Sequence, residues 1–162
     1  VLSRFQVVQA LREAFAQITP ANGYHTSVSA VYLSAPGLAD GTMAVPSRPA
    51  IYMPMYREDD GPGLASQQGL TEEKWTQPVV GVVPRTSAND PYDLGFVEAA
   101  CNLYDDLLQV SLDLIERRMG RIVRDVAISK VVWDCDRPGQ YGCIYFYLQI
   151  LEMRDRQQLR VA

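Results

Sequence analysis

The sequence predicts a single α+β domain: a mostly antiparallel or mixed sheet with two main helices packed on it. Three observations predict this. Two stretches, at residues 2–18 and after residue 90, repeat apolar residues at spacings of three and four. Short runs with strand chemistry lie between and after them. The order is helix, strands, helix, hairpin, which sets helices against one face of a sheet instead of alternating them with parallel strands. The length of 162 residues fits one domain on the prior of roughly 100–200 residues per domain.

The first helix, residues 2–18, rests on Phe5, Val8, Leu11, Phe15 and Ile18. Thr19-Pro20 stops it, because a residue before proline is pushed out of the α region. Asn22-Gly23 supplies a turn that needs positive φ. Residues 28–33 predict a short strand. Residues 34–48, rich in Gly, Pro, Ala and Ser, predict a long loop. Residues 50–56 predict a second strand, with Pro54 at an edge or bulge because it cannot donate to a ladder. Residues 57–72 have turn chemistry and no core pattern, and read as a second long loop. Residues 74–83 form a third strand, and the unbroken apolar run Val79–Val83 predicts burial on both faces.

The second helix has Asp90 as N-cap, Pro91 at its first position and Asp93 in its first turn. Phe96, Ala100, Leu103, Leu107, Val110 and Leu114 form its main stripe. Tyr104, Leu108, Leu112, Ile115 and Met119 form a second stripe beside it. Glu98, Asp105, Asp106 and Asp113 mark its wetter side, and Gly120 fits the C-cap. Two stripes are more than one sheet normally covers, so the helix also faces something else, such as another subunit. Residues 123–133 and 142–153 predict a hairpin turning at 136–140. A polar tail follows from 154 to 162.

Composition excludes several classes. Hydrophobic residues make up 48% and charged residues 21%, enough for a real core. The net charge of −4 argues against a free nucleic-acid binder. No run approaches the ~18 apolar residues of a membrane span. The opening Val-Leu-Ser-Arg-Phe-Gln lacks the apolar centre of a signal peptide. Of 15 basic residues, only Lys74 and Lys130 are lysine. Arginine suits bidentate pairs at interfaces, though a GC-rich genome produces the same bias.

Chemical motifs are sparse. No phosphate-binding glycine loop or nucleophile elbow is present. His25 is the only histidine, which weakens every His-based mechanism. Asp59-Asp60, and Asp134 with Asp136, are acid pairs of a kind that holds Mg²⁺, and equally of a kind common in turns. Of Cys101, Cys135 and Cys143, the last two flank the hairpin turn, where two reduced, packed thiols are expected rather than a disulfide. Arg117, Arg118, Arg121 and Arg124 are the densest positive stretch, read either as a contact for a phosphate backbone or acidic partner or as helix capping and solvated surface.

The helix ending in Ile18-Thr19-Pro20-Ala21-Asn22-Gly23-Tyr24-His25-Thr26, followed by a strand ending Val31-Tyr32-Leu33, resembles the tail terminator (tail-completion) proteins of long-tailed bacteriophages. The size, the Asn89-Asp90-Pro91 entry into a long helix and the final strand pair are similar too. The loops at 34–48 and 57–72 are long for that family. The resemblance implies a non-enzymatic structural protein, made in the host cytoplasm and built into the tail and neck of the virion. It implies a homo-oligomeric, six-fold ring on the last ring of tail tube protein, which stops tube polymerisation and meets a head–tail connector or neck protein. Genomic DNA would pass through the lumen without sequence-specific binding. No cofactor, metal, catalytic residue or membrane is implied. The interaction residues on this reading are Arg117, Arg118, Arg121 and Arg124, with Asn22, Gly23 and Tyr24 of the shared turn. Two other readings stay open: another head-completion or neck component, and a small phage-encoded Mg²⁺-dependent hydrolase or nuclease using Asp134, Asp136 or His25.

Overall fold

The computed structural model describes residues 3–54, 58–65, 70–86, 92–121, 123–136 and 140–155. The chain folds as one α+β unit with two helices on a mixed sheet. Helix α1 spans Arg4–Ala16. Ser3 starts it through a capping box: the Gln6 amide donates to Ser3 Oγ at 3.2 Å, and the Ser3 amide donates to Gln6 Oε1 at 2.8 Å. Its buried face is Val7, Val8, Leu11 and Phe15. Phe5, expected on that face, is 63% exposed. Arg4 stands one turn before Val8 and takes the inward place, which turns Phe5 outward. Asn22 Nδ2 donates to the Gln17 carbonyl at 2.9 Å, and Gly23 turns left-handed at φ 87°.

Six strands follow: β1 (Val31–Tyr32), β2 (Ala50–Tyr52), β3 (Glu58–Ala65), β4 (Leu70–Pro84), β5 (Asp125–Asp134) and β6 (Tyr141–Asp155), with helix α2 (Leu94–Arg121) between β4 and β5. The sheet runs β1-β2-β4-β6-β5, and β3 pairs with the first half of β4. Among the described strands only β1 and β2 are parallel; the other pairs are antiparallel. The strand expected at 28–33 is shorter because the Val28 amide bonds back to the Ile18 carbonyl, at 3.1 Å, instead of joining the sheet. In the second predicted strand, Pro54 falls just beyond β2, and its carbonyl accepts from Gln77 Nε2 at 3.3 Å.

Three expectations are corrected. Residues 57–72 are not a long loop: 58–65 form β3, and β4 begins at Leu70. The ladder slips between Asp59 and Pro62 and again between Pro62 and Ala65. An edge strand tolerates such glycines and a proline, and their turn-like composition hid it. The tail does not begin at 154, since β6 pairs Asp155 with Leu70; residues 156–162 lie outside the described residues. The second helix starts at Leu94, and Asp93 caps it by accepting the Phe96 amide at 3.0 Å. Asp90 and Pro91 lie outside the described residues. At the far end, the left-handed backbone falls on Arg118 (φ 47°) and Met119 (φ 51°), ahead of Gly120. Met119 is thereby tucked into the core.

The β4–β6 ladder runs the full 15 residues of both strands and sorts the core into two layers. On the helix face lie Val79 and Val83, with Phe146, Ile144 and Leu148 of β6 and the main stripe of α2. On the opposite face Val80, Val82 and Cys143 pack under Leu38 of the 34–48 segment, with Ala50, Tyr52 and Tyr141. The run Val79–Val83 is therefore buried on both sides. Strand β5 carries one extra residue, because Ile128 pairs with Leu148 and Lys130 with the adjacent Tyr147. This bulge turns Lys130 to the loop face and Val131 and Trp133 to the helix face.

At Gly81 the helix α2 packs tightly on the sheet. A Cβ there would meet Leu103 Cδ2 at 2.8 Å and Leu107 Cδ1 at 2.9 Å. Both leucines are fully buried and have little room to move. Gly81→Val should lower unfolding free energy by about 1–3 kcal/mol in urea titration. An unchanged midpoint would place α2 farther from β4.

Candidate interaction surface

Asp106 attaches the N-terminal turn to α2. Its Oδ1 accepts the His25 amide at 3.0 Å and its Oδ2 accepts the Thr26 amide at 2.7 Å. The carboxylate is 2% exposed, so Asp106 does not belong to the wetter side assigned to it. Its position carries the reason. It lies three residues after Leu103 and four before Val110, on the apolar stripe itself. Two amides that lead out of a turn have no ladder partner, and one carboxylate satisfies both.

Around this clamp the structure brings together Asn22, Gly23 and Tyr24 with Arg117. A polar hollow of about 360 Å³ is lined by Asn22–His25 on one side and by Asp105, Gln109 and Asp113 on the other. Gln109 Nε2 donates to Asp113 Oδ1 at 3.2 Å. Next to it, a cleft of about 260 Å³ opens between α1 and α2, with Ala10, Ala14, Val110 and Leu114 as floor and Tyr24, Asp113 and Arg117 as rim. Tyr24 links the two. Partial burial, then the charges of Asp113 and Asp106, push its phenol above the usual tyrosine range, while Arg117 pulls the other way. The phenol is thus a neutral donor at neutral pH. The part of folding stability linked to this shift is complete below pH ~10 and is lost as pH rises through the folded-state pKa.

The arginine cluster is split. Arg117 joins the turn, and Arg118 is exposed on the left-handed end of α2. Arg121 closes the helix backbone, and its side chain lies outside the described part. Arg124 points to the sheet, where Nη1 lies 3.1 Å from Glu72 Oε2 and 3.4 Å from Met153 Sδ. The partner of Arg124 comes from β4, in a segment whose composition predicts a loop.

The remaining candidates separate in space. His25 is exposed, and its contribution to the clamp is its backbone amide. Asp59 and Asp60 lie in β3, and their side chains fall outside the described part. Asp134 is half-buried and Asp136 exposed. Among the described residues, no group of three or more His, Cys, Asp or Glu is placed to hold a metal ion. Cys135 and Cys143 are not joined by a disulfide. Cys135 packs against the helix-face core and Cys143 in the loop-face layer, so their side chains lie on opposite sides of the sheet. Burial, and then Cys143, push the Cys135 thiol up to about 11, which keeps it protonated and unreactive at neutral pH.

Two further polar clusters had no signal in the residue pattern. Arg4 lies 4.7 Å over the Trp75 ring and 3.4 Å from Glu73, while the buried Trp75 indole donates to Glu152 Oε2 at 2.8 Å. At the other end of β4, Arg85 stacks on Phe96 at 4.6 Å and donates to the Cys135 carbonyl, and Thr86 donates to Asp93. Both join positions that are distant in the chain, which local spacing cannot reveal.

No protein-family model matches the chain, and no curated protein matches it either.

Asp106→Ala should cost about 1–3 kcal/mol, because it leaves the buried Thr26 amide and the part-buried His25 amide without their carboxylate partner. Hydrogen exchange at His25 and Thr26 should quicken before that of the sheet. Equal protection in variant and parent would show that the turn docks by other means. Mild oxidation of the native protein should leave Cys135 and Cys143 unlinked, and a disulfide-linked peptide carrying both in non-reducing mass spectrometry would place them on one face.

Proposed function

We propose that this chain is a structural subunit of a phage tail, forming a ring that caps the tail tube and joins it to the neck. The observation that carries this reading is an uncovered apolar row on α2. Val97, Cys101, Tyr104, Leu108 and Leu112 follow one another in steps of four, three, four and four, and none is fully buried. Val97 is 53% exposed and Leu112 48%. Trp133 of β5, 46% exposed, extends the row by packing 5.1 Å from Tyr104. Large aromatic and aliphatic groups left open beside a sheet edge suit a subunit that gains neighbours on assembly. The resemblance of residues 18–33 to tail terminators supplies the kind of assembly. The acidic net charge suits a lumen that lets DNA pass without gripping it.

A knockout in the phage that encodes the chain tests the reading. Filled heads without tails, beside overlong free tubes, are the expected result. Leaking heads would assign the chain to the neck instead. In vitro, the double variant Leu112→Glu/Trp133→Ala should stay folded by circular dichroism yet fail to form rings by native mass spectrometry, alone or with purified tubes. Normal rings and normal capping would remove the apolar row from the interface.

A further inference from the structure

We propose that the groove between the 34–48 segment and strands β5 and β6 is a binding site for a planar aromatic molecule carrying a negative charge. This goes beyond the proposed assembly role and uses the face of the sheet opposite the helices. The groove holds about 520 Å³. That lies within the roughly 300–1,000 Å³ of small-molecule sites. Its floor is a cross-strand row, Pro78 of β4, Tyr147 of β6 and Lys130 of β5, set side by side by the two ladders. Tyr145 adds a second ring. Its centroid is 6.2 Å from that of Tyr147 and the planes differ by 14°, so the two rings stack nearly parallel at the groove. Leu38 and Pro54 complete the apolar lining.

Two features set the ligand class. The paired tyrosine rings favour a flat π system over a branched aliphatic one. Among the described residues lining the groove, Lys130 alone is charged. Lys130 is exposed, and its ammonium lies over the Tyr147 ring, 4.5 Å from the centroid. A cation beside an aromatic floor, with no acid among the described lining residues, complements an anionic ring substituent. The β5 bulge is the device that puts Lys130 there. Without the extra residue after Ile128, strand alternation would turn position 130 to the helix face.

A pair of fluorescent probes tests this on the intact protein: 8-anilinonaphthalene-1-sulfonate, and the same ring system without the sulfonate, N-phenyl-1-naphthylamine. The sulfonate should bind saturably with one molecule per chain while near-ultraviolet circular dichroism stays native. Lys130→Met should weaken the sulfonate by roughly tenfold and leave the neutral probe unchanged, as loss of one charge-assisted contact predicts. Tyr147→Leu should weaken both probes. Lys130→Glu, at an exposed position, should remove sulfonate binding and spare the neutral probe. Non-saturable binding, or equal effects of Lys130→Met on the two probes, would overturn the proposal. Loss of both signals as the protein is concentrated would overturn it too, and would assign the groove to a second copy of the chain.

Discussion

The architecture depends on one strand that is apolar on both faces. Val79 and Val83 point to the helices while Val80 and Val82 point away, and none touches water. Such a strand is stable only if something covers each side of it. One side receives α2 and α1. On the other, where no helix packs among the described residues, the 34–48 segment folds down with Leu38 as its anchor. That segment contains no regular element, yet it is a structural layer of the domain. The same requirement explains why α2 sits so close over Gly81: a missing side chain on the strand lets Leu103 and Leu107 reach the backbone.

The N-terminal helix joins this centre by burying Val7, Val8, Leu11 and Phe15 in the helix-face core, and the turn after it is fixed by hydrogen bonds. Strand β1 is only two residues long and cannot hold α1 in place by pairing. Asp106 supplies what the short strand does not, by fixing the turn after α1 directly to the middle of α2. The clefts on either side of Tyr24 follow from that attachment, since they are the space left between a turn held at two amides and a helix. Arg117 reaches this surface because it lies eleven residues, about three turns, beyond Asp106 on the same helix.

Much of the fold was legible in the sequence, wherever local periodicity and final environment agree. The main stripe of α2, the final hairpin and the doubly buried run at 79–83 are of this kind. Legibility ended where a residue's partner is distant. Gly61-Pro62-Gly63 reads as a loop until the long β4 offers it an edge. Asp106 reads as a solvated acid by its charge, although its spacing from Leu103 and Val110 puts it on the buried face. The arginines look like one patch in the chain, but the turn from α2 into β5 sends Arg117 and Arg124 to different surfaces. The bulge in β5 leaves no mark in composition at all, and it decides which face Lys130 occupies.

The strand order also has a consequence for synthesis. Strand β4 lies between β2 and β6 in the sheet, but its longest partner, β6, is made only after α2 and β5. After residue 84 leaves the ribosome, on the order of sixty more residues must follow before β6 begins, a wait of roughly 3–12 s at ordinary elongation rates. Through that interval one edge of β4 offers unpaired backbone groups beside apolar side chains. Another nascent copy, with the same strand in the same condition, is a competent wrong partner. Yield of this chain is therefore a contest between elongation and encounter, and slower, more dilute expression should favour the native partner.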